Sequence, residues 1–327
     1  MKGGRTLKKQ KSDVVIKPSF GKQMKQYGNL FLFYIPAIVL VVIFSYIPMA
    51  GIIMAFKKNP NLLGSSSAIQ GILDADWIGF KNFEKIFTDP DIISALRNTL
   101  IISMQKIVIL FPIPIVMAIC INEMRGKIVK KSLQAVMYIP HFLSWITVSG
   151  IFITLLSYDT GIVNNLMQFF GFDRIPFVTS NDTFRGVLVV SAAWAYLGWN
   201  TIVYVSAITA LDRDLIEAAK IDGASKWQQI IHVTLPGILP TIAVMFILRI
   251  GGIMDAGYDQ VLAMYSPYIK ESGDILGTYT FRLVKEAGLL PQYALSTAVG
   301  LFNSVVGLVL VLSGNFISRR LFKRGLW

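Results

Sequence analysis

The charged side chains that interrupt long apolar stretches are the first candidates for chemistry in this sequence. Arg249 lies deep in one such stretch, and Asp255 follows six residues later. A cation inside a membrane span is costly, so it indicates either a functional site or a structural ion pair. Residues six apart lie on different faces of a helix, so Asp255 is not expected to pair with Arg249 along one helix. The sequence leaves the partner of Arg249 open.

Other kinds of chemistry find little support. His141 and His232 are too few for a histidine metal cluster, and the single Cys120 excludes an internal disulfide. No Gly-Lys pair is followed by Ser or Thr, so the sequence contains no Walker A motif for ATP. It shows no nucleophile elbow and no paired carboxylates in a cleft motif. We predict a protein that is not an enzyme and holds no metal or cofactor, and any ATP it uses is bound by another chain.

Composition indicates a membrane protein. The chain is 54% hydrophobic and 15% charged, whereas soluble domains carry roughly 25% charged residues. Six stretches are long enough to supply the roughly 20 mostly apolar residues that span a bilayer. They are 30–56, 99–121, 133–156, 187–211, 238–257 and 294–317. We predict an all-α fold of six transmembrane helices. A cleaved signal sequence fits the first stretch less well, because its apolar run exceeds the usual signal core.

The distribution of Lys and Arg predicts the orientation of these spans. The basic segments 1–29, 122–132, 212–237 and 318–327 hold more Lys and Arg than the three alternating segments. Basic residues are enriched in cytoplasmic segments, so both termini and the segment 212–237 are predicted to be cytoplasmic. The domains are then a basic N-terminal segment, 1–29, a membrane domain, 30–317, and a basic tail, 318–327. This bias and anionic lipid account for the net charge of +12, so no nucleic-acid partner is predicted.

Four local features of the spans give further expectations. Asp89, Pro90 and Asp91 predict a helix start, with Asp89 as the cap, on a helix that runs into the second span. Lys106 is expected to extend toward a membrane surface. His141 is interpreted as a hydrogen-bonded residue inside the bundle and Cys120 as a packing residue.

The segment 212–237, which we call the polar island, separates the fourth and fifth spans. Asp214 with Glu217 three residues later predicts a capping box at the start of a helix. Gly223 suits the left-handed conformation that ends a helix. Ser225 with Gln228 predicts a second capping box. The island is therefore expected to contain two short helices.

Three interpretations of the polar island compete. Pro236 is expected to end the second helix, and two capped helices are more organised than an ordinary interhelical loop. A DNA-binding helix-turn-helix fits poorly between two membrane spans. A helix that docks in a groove of a cytoplasmic partner fits best, because helix-in-groove binding is a recurring mode of recognition.

The polar island resembles the EAA motif of membrane subunits of binding-protein-dependent ABC importers. Glu217-Ala218-Ala219 is followed by Gly223 and then by Leu235-Pro236 at the spacing of that motif. In that family the segment is the coupling helix, which fits a cleft of the ATPase subunit. The resemblance implies that the ATPase-coupling residues are Glu217, Ala218, Ala219, Asp222, Gly223, Leu235 and Pro236.

Other segments resemble sugar permeases of the same family. Residues 77–83 followed by Asn98-Thr99 are similar to a stretch of these permeases, and 46–49, 257–260, 278–279 and 293–302 are similar to their oligosaccharide- and polysaccharide-type, LplB-like branch. Gly277 departs from that branch, which often has aspartate there. The resemblance implies a MetI-like bundle with a cytoplasmic coupling helix in the cell membrane of a Gram-positive bacterium. The implied partners are a second homologous permease subunit, a cytoplasmic ATPase dimer that binds ATP and Mg, and an extracellular substrate-binding protein.

If the cargo is a sugar, aromatic faces and convergent hydrogen-bonding groups near mid-membrane are the candidates for contacting it. The candidate residues are Trp145, Trp199, Asn200, Tyr204, Arg249, Asp255, Tyr258 and Asp259. Trp and Tyr also anchor spans at membrane interfaces, which is the competing interpretation of each aromatic residue.

The predicted function is import of a carbohydrate, an oligosaccharide, by alternating access driven by ATP. The alternative is a secondary transporter driven by an ion gradient, a class that often carries internal repeats and midplane acids. No repeat is visible here, and the acids lie toward one end of the fifth span. A membrane-embedded enzyme lacks support from any motif.

Overall fold

The structure is a computed structural model that describes residues 20–61, 67–286, 288 and 291–322. Residues 1–19 of the basic N-terminal segment and 323–327 of the basic tail lie outside the described residues. The described part of the chain consists of helices, turns and loops without a β-strand, and an isolated β-bridge joins Lys57 to Trp77. The prediction of an all-α fold is confirmed.

Two compact units divide the chain, Met1–Ile52 and Ile53–Trp327. In the first, helix Phe20–Val41 is followed by the π-helical turn Val42–Tyr46 and helix Ile47–Met49, and the 3-10 helix Ala50–Phe56 runs across the boundary. The helices of the second unit are Ala68–Asp74, Lys81–Thr88, Pro90–Leu110, Pro112–Glu123, Lys127–Tyr138, Ile139–Phe142, Trp145–Leu155, Ile162–Phe169, Phe184–Thr209, Arg213–Ile221, Lys226–Gln229, Ile230–Thr234, Leu235–Gly251, Tyr258–Met264, Pro267–Ile269, Lys270–Gly273, Leu276–Lys285 and Tyr293–Phe322.

Five helices of the described residues are long and apolar enough to cross a membrane, and a bent pair of helices makes up to six. In chain order we number them spans 1 to 6: Leu32–Phe56, Pro90–Glu123, the pair Lys127–Phe142 and Trp145–Leu155, Phe184–Thr209, Lys226–Gly251 and Tyr293–Arg320. Each predicted stretch corresponds to one of them, although several boundaries differ.

Span 3 is broken, whereas the sequence predicts one helix over 133–156. Its two halves meet at an angle of 100°. Pro140 lies in the 3-10 turn that ends the first half, and Leu143 is extended (φ −81°, ψ 140°). The Ser144 hydroxyl then accepts a hydrogen bond from the Thr147 N–H (3.2 Å) and caps a new helix. The proline and the serine cap together divide this span.

Span 2 begins at Pro90 and not at residue 99. The Asp89 carboxylate accepts a hydrogen bond from the Asp91 N–H (2.9 Å), so the predicted cap is confirmed. Pro90 occupies the first helical turn, where its missing N–H leaves no bond unmade. The helix continues to Glu123, as predicted. Lys106 consequently lies near the middle of span 2.

The prediction that Pro236 ends a helix is wrong. Helix Lys226–Gln229 passes through the π-helical turn Ile230–Thr234 directly into helix Leu235–Gly251. A proline ring clashes with a carbonyl one α-helical turn earlier, and the wider π-helical turn makes room for it. Span 5 therefore begins inside the polar island.

Span 5 also ends before the predicted residue 257. The helix stops at Gly251, and residues 252–257, which we call the 252–257 turn, are not helical. Ala256 (φ 51°) and Gly257 (φ 79°) are left-handed there, which is uncommon for a residue other than glycine. Asp255 belongs to this turn, and its Oδ2 accepts a hydrogen bond from the Gly257 N–H (3.1 Å).

The Asn98-Thr99 pair of the sequence motif connects span 2 to the segment 267–285. Asn98 is buried, and its side-chain amide donates hydrogen bonds to the carbonyls of Glu271 (3.0 Å) and Asp274 (3.0 Å). The Thr99 hydroxyl accepts a hydrogen bond from the Leu276 N–H (3.0 Å). These two residues therefore hold the segment against the end of span 2.

A buried ion pair stabilises the segment 267–285. The Asp274 carboxylate lies 2.5 Å from the Arg282 guanidinium and accepts a hydrogen bond from the Thr278 hydroxyl (2.7 Å). Arg282 also donates to the Tyr265 hydroxyl. Burial alone would lower the pKa of Arg282, but the hydrogen bond to Asp274 and its negative charge outweigh this and raise the pKa. The guanidinium of the pair is thus held charged.

We expect Arg282→Leu to destabilise the protein by about 1.5–3 kcal/mol, because it leaves a buried carboxylate without its charge-assisted hydrogen bond. The apparent melting temperature in mild detergent, followed by tryptophan fluorescence, measures this. Lys270→Leu is the matched control, since the Lys270–Asp91 pair is exposed (49% and 56%) and such pairs contribute about 0–1 kcal/mol. Equal melting temperatures for the two variants would contradict the expectation.

Candidate functional site

A cavity of about 240 Å³, which we call the charged cavity, lies between spans 2, 4 and 5 and the 252–257 turn. Its polar lining consists of Ser103, Lys106, Tyr196, Asn200, Arg249, Asp255 and Gln260. The rest of the wall is mainly apolar, and includes Leu110, Phe111 and Leu248. Three of the residues predicted from the sequence, Asn200, Arg249 and Asp255, meet here.

Lys106 extends into the charged cavity, so the prediction that it reaches a membrane surface is wrong. Its Nζ donates hydrogen bonds to the Ala256 carbonyl (2.8 Å) and to Gln260 Oε1 (2.5 Å). The Gln260 amide nitrogen in turn donates to the Leu188 carbonyl (2.8 Å) and the Ser191 hydroxyl (2.7 Å). A chain of hydrogen bonds from span 4 therefore fixes the position of the Lys106 ammonium.

Arg249 and Asp255 line the same cavity without forming an ion pair. Among the described residues, no carboxylate lies within 4.0 Å of the Arg249 guanidinium or of Lys106 Nζ. Asp255 instead accepts a hydrogen bond from the backbone of its own turn. The cavity thus contains two cations and one anion. Within the described part of this chain, Arg249 has no ion-pair partner, so the partner that the sequence leaves open is not found there.

The aromatic candidates of spans 3 and 4 lie beside the charged cavity. Trp145 reaches it through Tyr196, because Trp145 Nε1 donates a hydrogen bond to the Tyr196 hydroxyl (2.9 Å). Trp199 does not line the cavity and stacks on His141, with ring centroids 4.4 Å apart. His141 Nδ1 is buried and has no hydrogen-bond partner among the described residues, so the prediction of a hydrogen-bonded histidine is wrong for this atom.

The remaining candidates lie elsewhere. Tyr204 is 2% exposed and belongs to an apolar cluster of spans 2, 4 and 5, so it packs rather than faces the charged cavity. Tyr258 and Asp255 line a second cavity of about 390 Å³. Asp259 is exposed and lines neither of these two cavities. Cys120, predicted to pack, is exposed on this chain.

The first helix of the polar island runs over Arg213–Ile221. Its cap is Asp212, whose carboxylate accepts a hydrogen bond from the Asp214 N–H (3.0 Å), so the predicted capping box from Asp214 to Glu217 is wrong. Asp214 lies in the first turn, where a negative charge is favoured by the helix dipole. Both acidic residues therefore stabilise the start of this helix.

The first helix ends as the sequence predicts. Gly223 is left-handed (φ 78°). The Ala224 N–H donates to the Ala219 carbonyl (2.9 Å), and the Gly223 N–H donates to the Lys220 carbonyl (3.0 Å). These two bonds form a Schellman motif, in which glycine is strongly favoured. The left-handed backbone conformation thus accounts for the glycine at position 223.

The second helix of the island begins with the predicted capping box. The Ser225 hydroxyl accepts from the Gln228 N–H (3.4 Å), and Gln228 Oε1 accepts from the Ser225 N–H (2.8 Å). Lys226 forms an ion pair with Glu123 (2.7 Å) at the end of span 2. This ion pair joins the polar island to span 2.

Large apolar side chains of the polar island are exposed. Leu215 is 58%, Ile221 86% and Trp227 68% exposed. Glu217 lines an open cleft of about 660 Å³, whose basic lining residues are Arg125, Arg213, Lys220 and Lys226. These exposed apolar side chains make the polar island a candidate protein interaction surface.

One helix connects the polar island to the charged cavity. Helix Lys226–Gly251 carries the ion pair with Glu123 at one end and Arg249 near the other. At a rise of 1.5 Å per residue these two positions are about 35 Å apart. A displacement of the polar island can therefore be transmitted along this helix to the wall of the charged cavity.

Comparison with known families explains this arrangement. Residues 111–324 match the family model described as "Binding-protein-dependent transport system inner membrane component". The matched range includes the polar island and the cavity residues of spans 4 and 5. The chain belongs to this family. It is a multi-pass permease of a bacterial cell membrane, and it is a transport subunit rather than an enzyme.

Two proteins of Bacillus subtilis (strain 168) resemble this permease over nearly its whole length. The polygalacturonan/rhamnogalacturonan transport system permease protein YteP is 37% identical over 302 residues, which cover 92% of this chain and 91% of YteP. Protein LplB is 36% identical over 304 residues, which cover 93% of this chain and 92% of LplB. The predicted membership of the LplB-like branch is confirmed.

Two solved structures share the fold of the permease. A chain of a bacterial ABC transporter involved in the import of the acidic polysaccharide alginate is 38% identical, with a TM-score of 0.82 over 92% of this chain and 98% of that one. A chain of the alginate transporter in complex with its alginate pentasaccharide-bound periplasmic protein is 37% identical, with a TM-score of 0.83 over 94% of this chain and 100% of that one. The predicted permease bundle is therefore confirmed.

Sequence reasoning missed Lys106, Gln260 and Glu123 as residues of functional regions in the permease. Lys106 and Gln260 meet 154 residues apart along the chain, and Glu123 meets Lys226 across 103 residues. No local pattern marks such pairs. The available signal is a basic residue within an apolar stretch, which by sequence alone is expected to extend toward a membrane surface.

Proposed function

We propose that this permease moves an oligosaccharide across the cell membrane into the cell as one membrane subunit of an ATP-driven importer. The observation that carries the proposal is helix Lys226–Gly251, which joins the exposed polar island to the charged cavity. YteP is a permease for polygalacturonan/rhamnogalacturonan and the alginate importer takes up a polysaccharide, which supports a carbohydrate as the cargo class.

In the proposed mechanism the polar island is the contact for a cytoplasmic ATPase dimer, which binds ATP and Mg. The contact and its frame comprise Glu217, Ala218, Ala219, Asp222, Gly223, Leu235 and Pro236. Closure of the ATPase moves the island, and span 5 carries this motion to the charged cavity. The cavity then alternates between outward and inward access. Cargo shifts this equilibrium only as far as its affinities for the two states differ.

The remaining partners follow from the same proposal. A second homologous permease subunit completes the translocation path, and an extracellular substrate-binding protein delivers the cargo. The complex of the alginate transporter with a pentasaccharide-bound periplasmic protein supports the latter partner. The excess of basic residues in 1–29, 122–132, 212–237 and 318–327 supports a cytoplasmic location for both termini, which flank the membrane domain 30–317 in the sequence. Similarity to two Bacillus subtilis proteins supports a Gram-positive source.

The cargo contacts in this chain are proposed to be Asn200, Arg249 and Asp255 in the charged cavity. Trp145 reaches this cavity through its hydrogen bond to Tyr196, and Tyr258 lines the second cavity. The Asn200 amide makes no hydrogen bond to another described residue, so it is available to a sugar hydroxyl.

Purification of the permease in mild detergent with its co-expressed neighbours tests this proposal. We expect mass spectrometry to identify a second permease and an ATPase, and we expect vesicles containing the complex to take up oligosaccharide with ATP despite ionophores. A chain that purifies alone and transports under an ion gradient would overturn the proposal and support a secondary transporter.

A further inference from the structure

The charged cavity is lined by two cations, Lys106 and Arg249, but by only one carboxylate of the described residues, Asp255. Lys106 and Arg249 both lie within spans, and no described carboxylate comes within 4.0 Å of either. A charge removed from water is costly unless it is paired. A permease that keeps two such charges at one cavity therefore has a use for them that the chain alone does not satisfy.

Lys106 is positioned as a preorganised donor. Two of its three N–H groups bind the neutral oxygens of Ala256 (2.8 Å) and Gln260 (2.5 Å). Gln260 is fixed by Leu188 and Ser191, so the ammonium is held in place before any cargo arrives. Its third N–H has no acceptor among the described residues and remains for a group in the cavity.

Arg249 adds a second donor from a different span. Its guanidinium makes no hydrogen bond to another described residue and lines the same cavity. A guanidinium presents paired N–H groups that match the two oxygens of a carboxylate. Span 2 thus contributes the Lys106 ammonium, and span 5 the Arg249 guanidinium, to the charged cavity.

Asp255 leaves the charged cavity with a net charge of +1, one negative charge short of neutrality. It lines the same space, but its Oδ2 is bound by the Gly257 N–H and it pairs with neither cation within 4.0 Å. Two cations and one anion are balanced by one further carboxylate. A neutral sugar would leave the net charge uncompensated.

We propose that the charged cavity takes a carboxylate of the cargo between Lys106 and Arg249, so that the permease imports acidic oligosaccharides, those that contain uronic acid residues. This inference rests on the proposed function of oligosaccharide import. Asn200 and the Tyr196 hydroxyl on span 4 are then placed for the sugar hydroxyls. Lys106 becomes a cargo-binding residue that the sequence does not reveal.

The test uses the complete importer, with both permeases, the ATPase and the binding protein, reconstituted in liposomes. The probes are tetragalacturonate and tetramannuronate, with maltotetraose and cellotetraose as neutral counterparts. Saccharide moved per ATP hydrolysed is measured, because the binding protein also selects cargo and this ratio isolates the step inside the membrane. The variants are Lys106→Gln, Arg249→Gln and Arg249→Lys, and Lys270→Gln removes an exposed cation as the matched control.

We expect an acidic probe to be imported and the ratio to fall about tenfold or more in Lys106→Gln and Arg249→Gln, because each loses a charge-assisted contact. Arg249→Lys should retain part of the ratio, and Lys270→Gln should match the wild type. Import of neutral probes only would overturn the inference and leave the proposed function standing. If the two Gln variants match Lys270→Gln, the inference is also overturned and the proposed function stands. The two cations would then serve an acidic side chain of the partner permease. No import of any saccharide would instead refute the proposed function itself.

Discussion

The double variant Glu217→Lys and Gly223→Trp is expected to insert normally and to lose the ATPase completely. Glu217 lines an open cleft among basic residues, so lysine there reverses the charge that a partner meets. A side chain built at Gly223 meets no atom of the permease within 4 Å. The permease therefore leaves space at the start of this side chain, and we expect the indole to obstruct a partner that approaches here. Co-purification of the ATPase and uptake driven by ATP measure the loss.

Backbone strain at Gly223 must be separated from this clash. Gly223 is left-handed (φ 78°), and a side chain there costs about 1–2 kcal/mol unless it is one that tolerates this conformation, such as asparagine. Gly223→Asn should therefore keep the ATPase. Gly171→Trp is the matched control, because Gly171 is also left-handed (φ 82°) with open space around it, but lies outside the polar island. Retention of the ATPase by the double variant would refute the coupling role.

Gly198→Leu is expected to prevent the assembly of the membrane domain. A β-carbon at Gly198 on span 4 overlaps the carbonyl oxygen of Met137 in the first half of span 3 and lies 2.5 Å from its carbonyl carbon. The obstacle is backbone, so no side-chain rotation relieves it, and the two helices must separate. Overpacking usually costs about 1–3 kcal/mol when side chains can adjust, and we expect more here. The yield of monodisperse protein in mild detergent measures the effect.

Gly186→Ala is the matched control in the same helix. No atom lies within 4 Å of a β-carbon at Gly186, and alanine is favoured over glycine in a helix by about 0.8–1 kcal/mol. This variant should be obtained at wild-type yield or better. A normal, monodisperse Gly198→Leu protein would show that spans 3 and 4 do not need this close contact.

The polar island was largely predictable because its structure depends on local hydrogen bonds. The Ser225–Gln228 capping box and the Gly223 helix end involve residues within a few positions of one another. The errors in the island have local causes too. Asp212 and Asp214 are equally good caps by residue type, and the chain uses the earlier one. Pro236 is a helix breaker in isolation, but a π-helical turn accommodates it.

The spans were predictable in number and order but not in their ends. Apolar length marks the membrane core, whereas a helix continues beyond it wherever caps and packing permit. Span 2 starts at its Asp89 cap, well before the apolar stretch, and Lys106 on this helix contacts the 252–257 turn. Span 3 breaks at Pro140 and Ser144, although the stretch is mainly apolar.

The sequence alone determined the class of the protein, the two helices of the polar island and the identity of the family, because composition, caps and motif spacing are properties of contiguous residues. The tertiary structure alone decided which polar side chains share the charged cavity. Lys106 contacts Ala256 across 150 positions of the chain, and Tyr204, a good candidate by residue type, is turned into an apolar cluster. The reason is that the face a helical residue presents to its neighbours depends on how the spans pack, and that packing is set by contacts such as Gly198 against Met137, which no local pattern encodes.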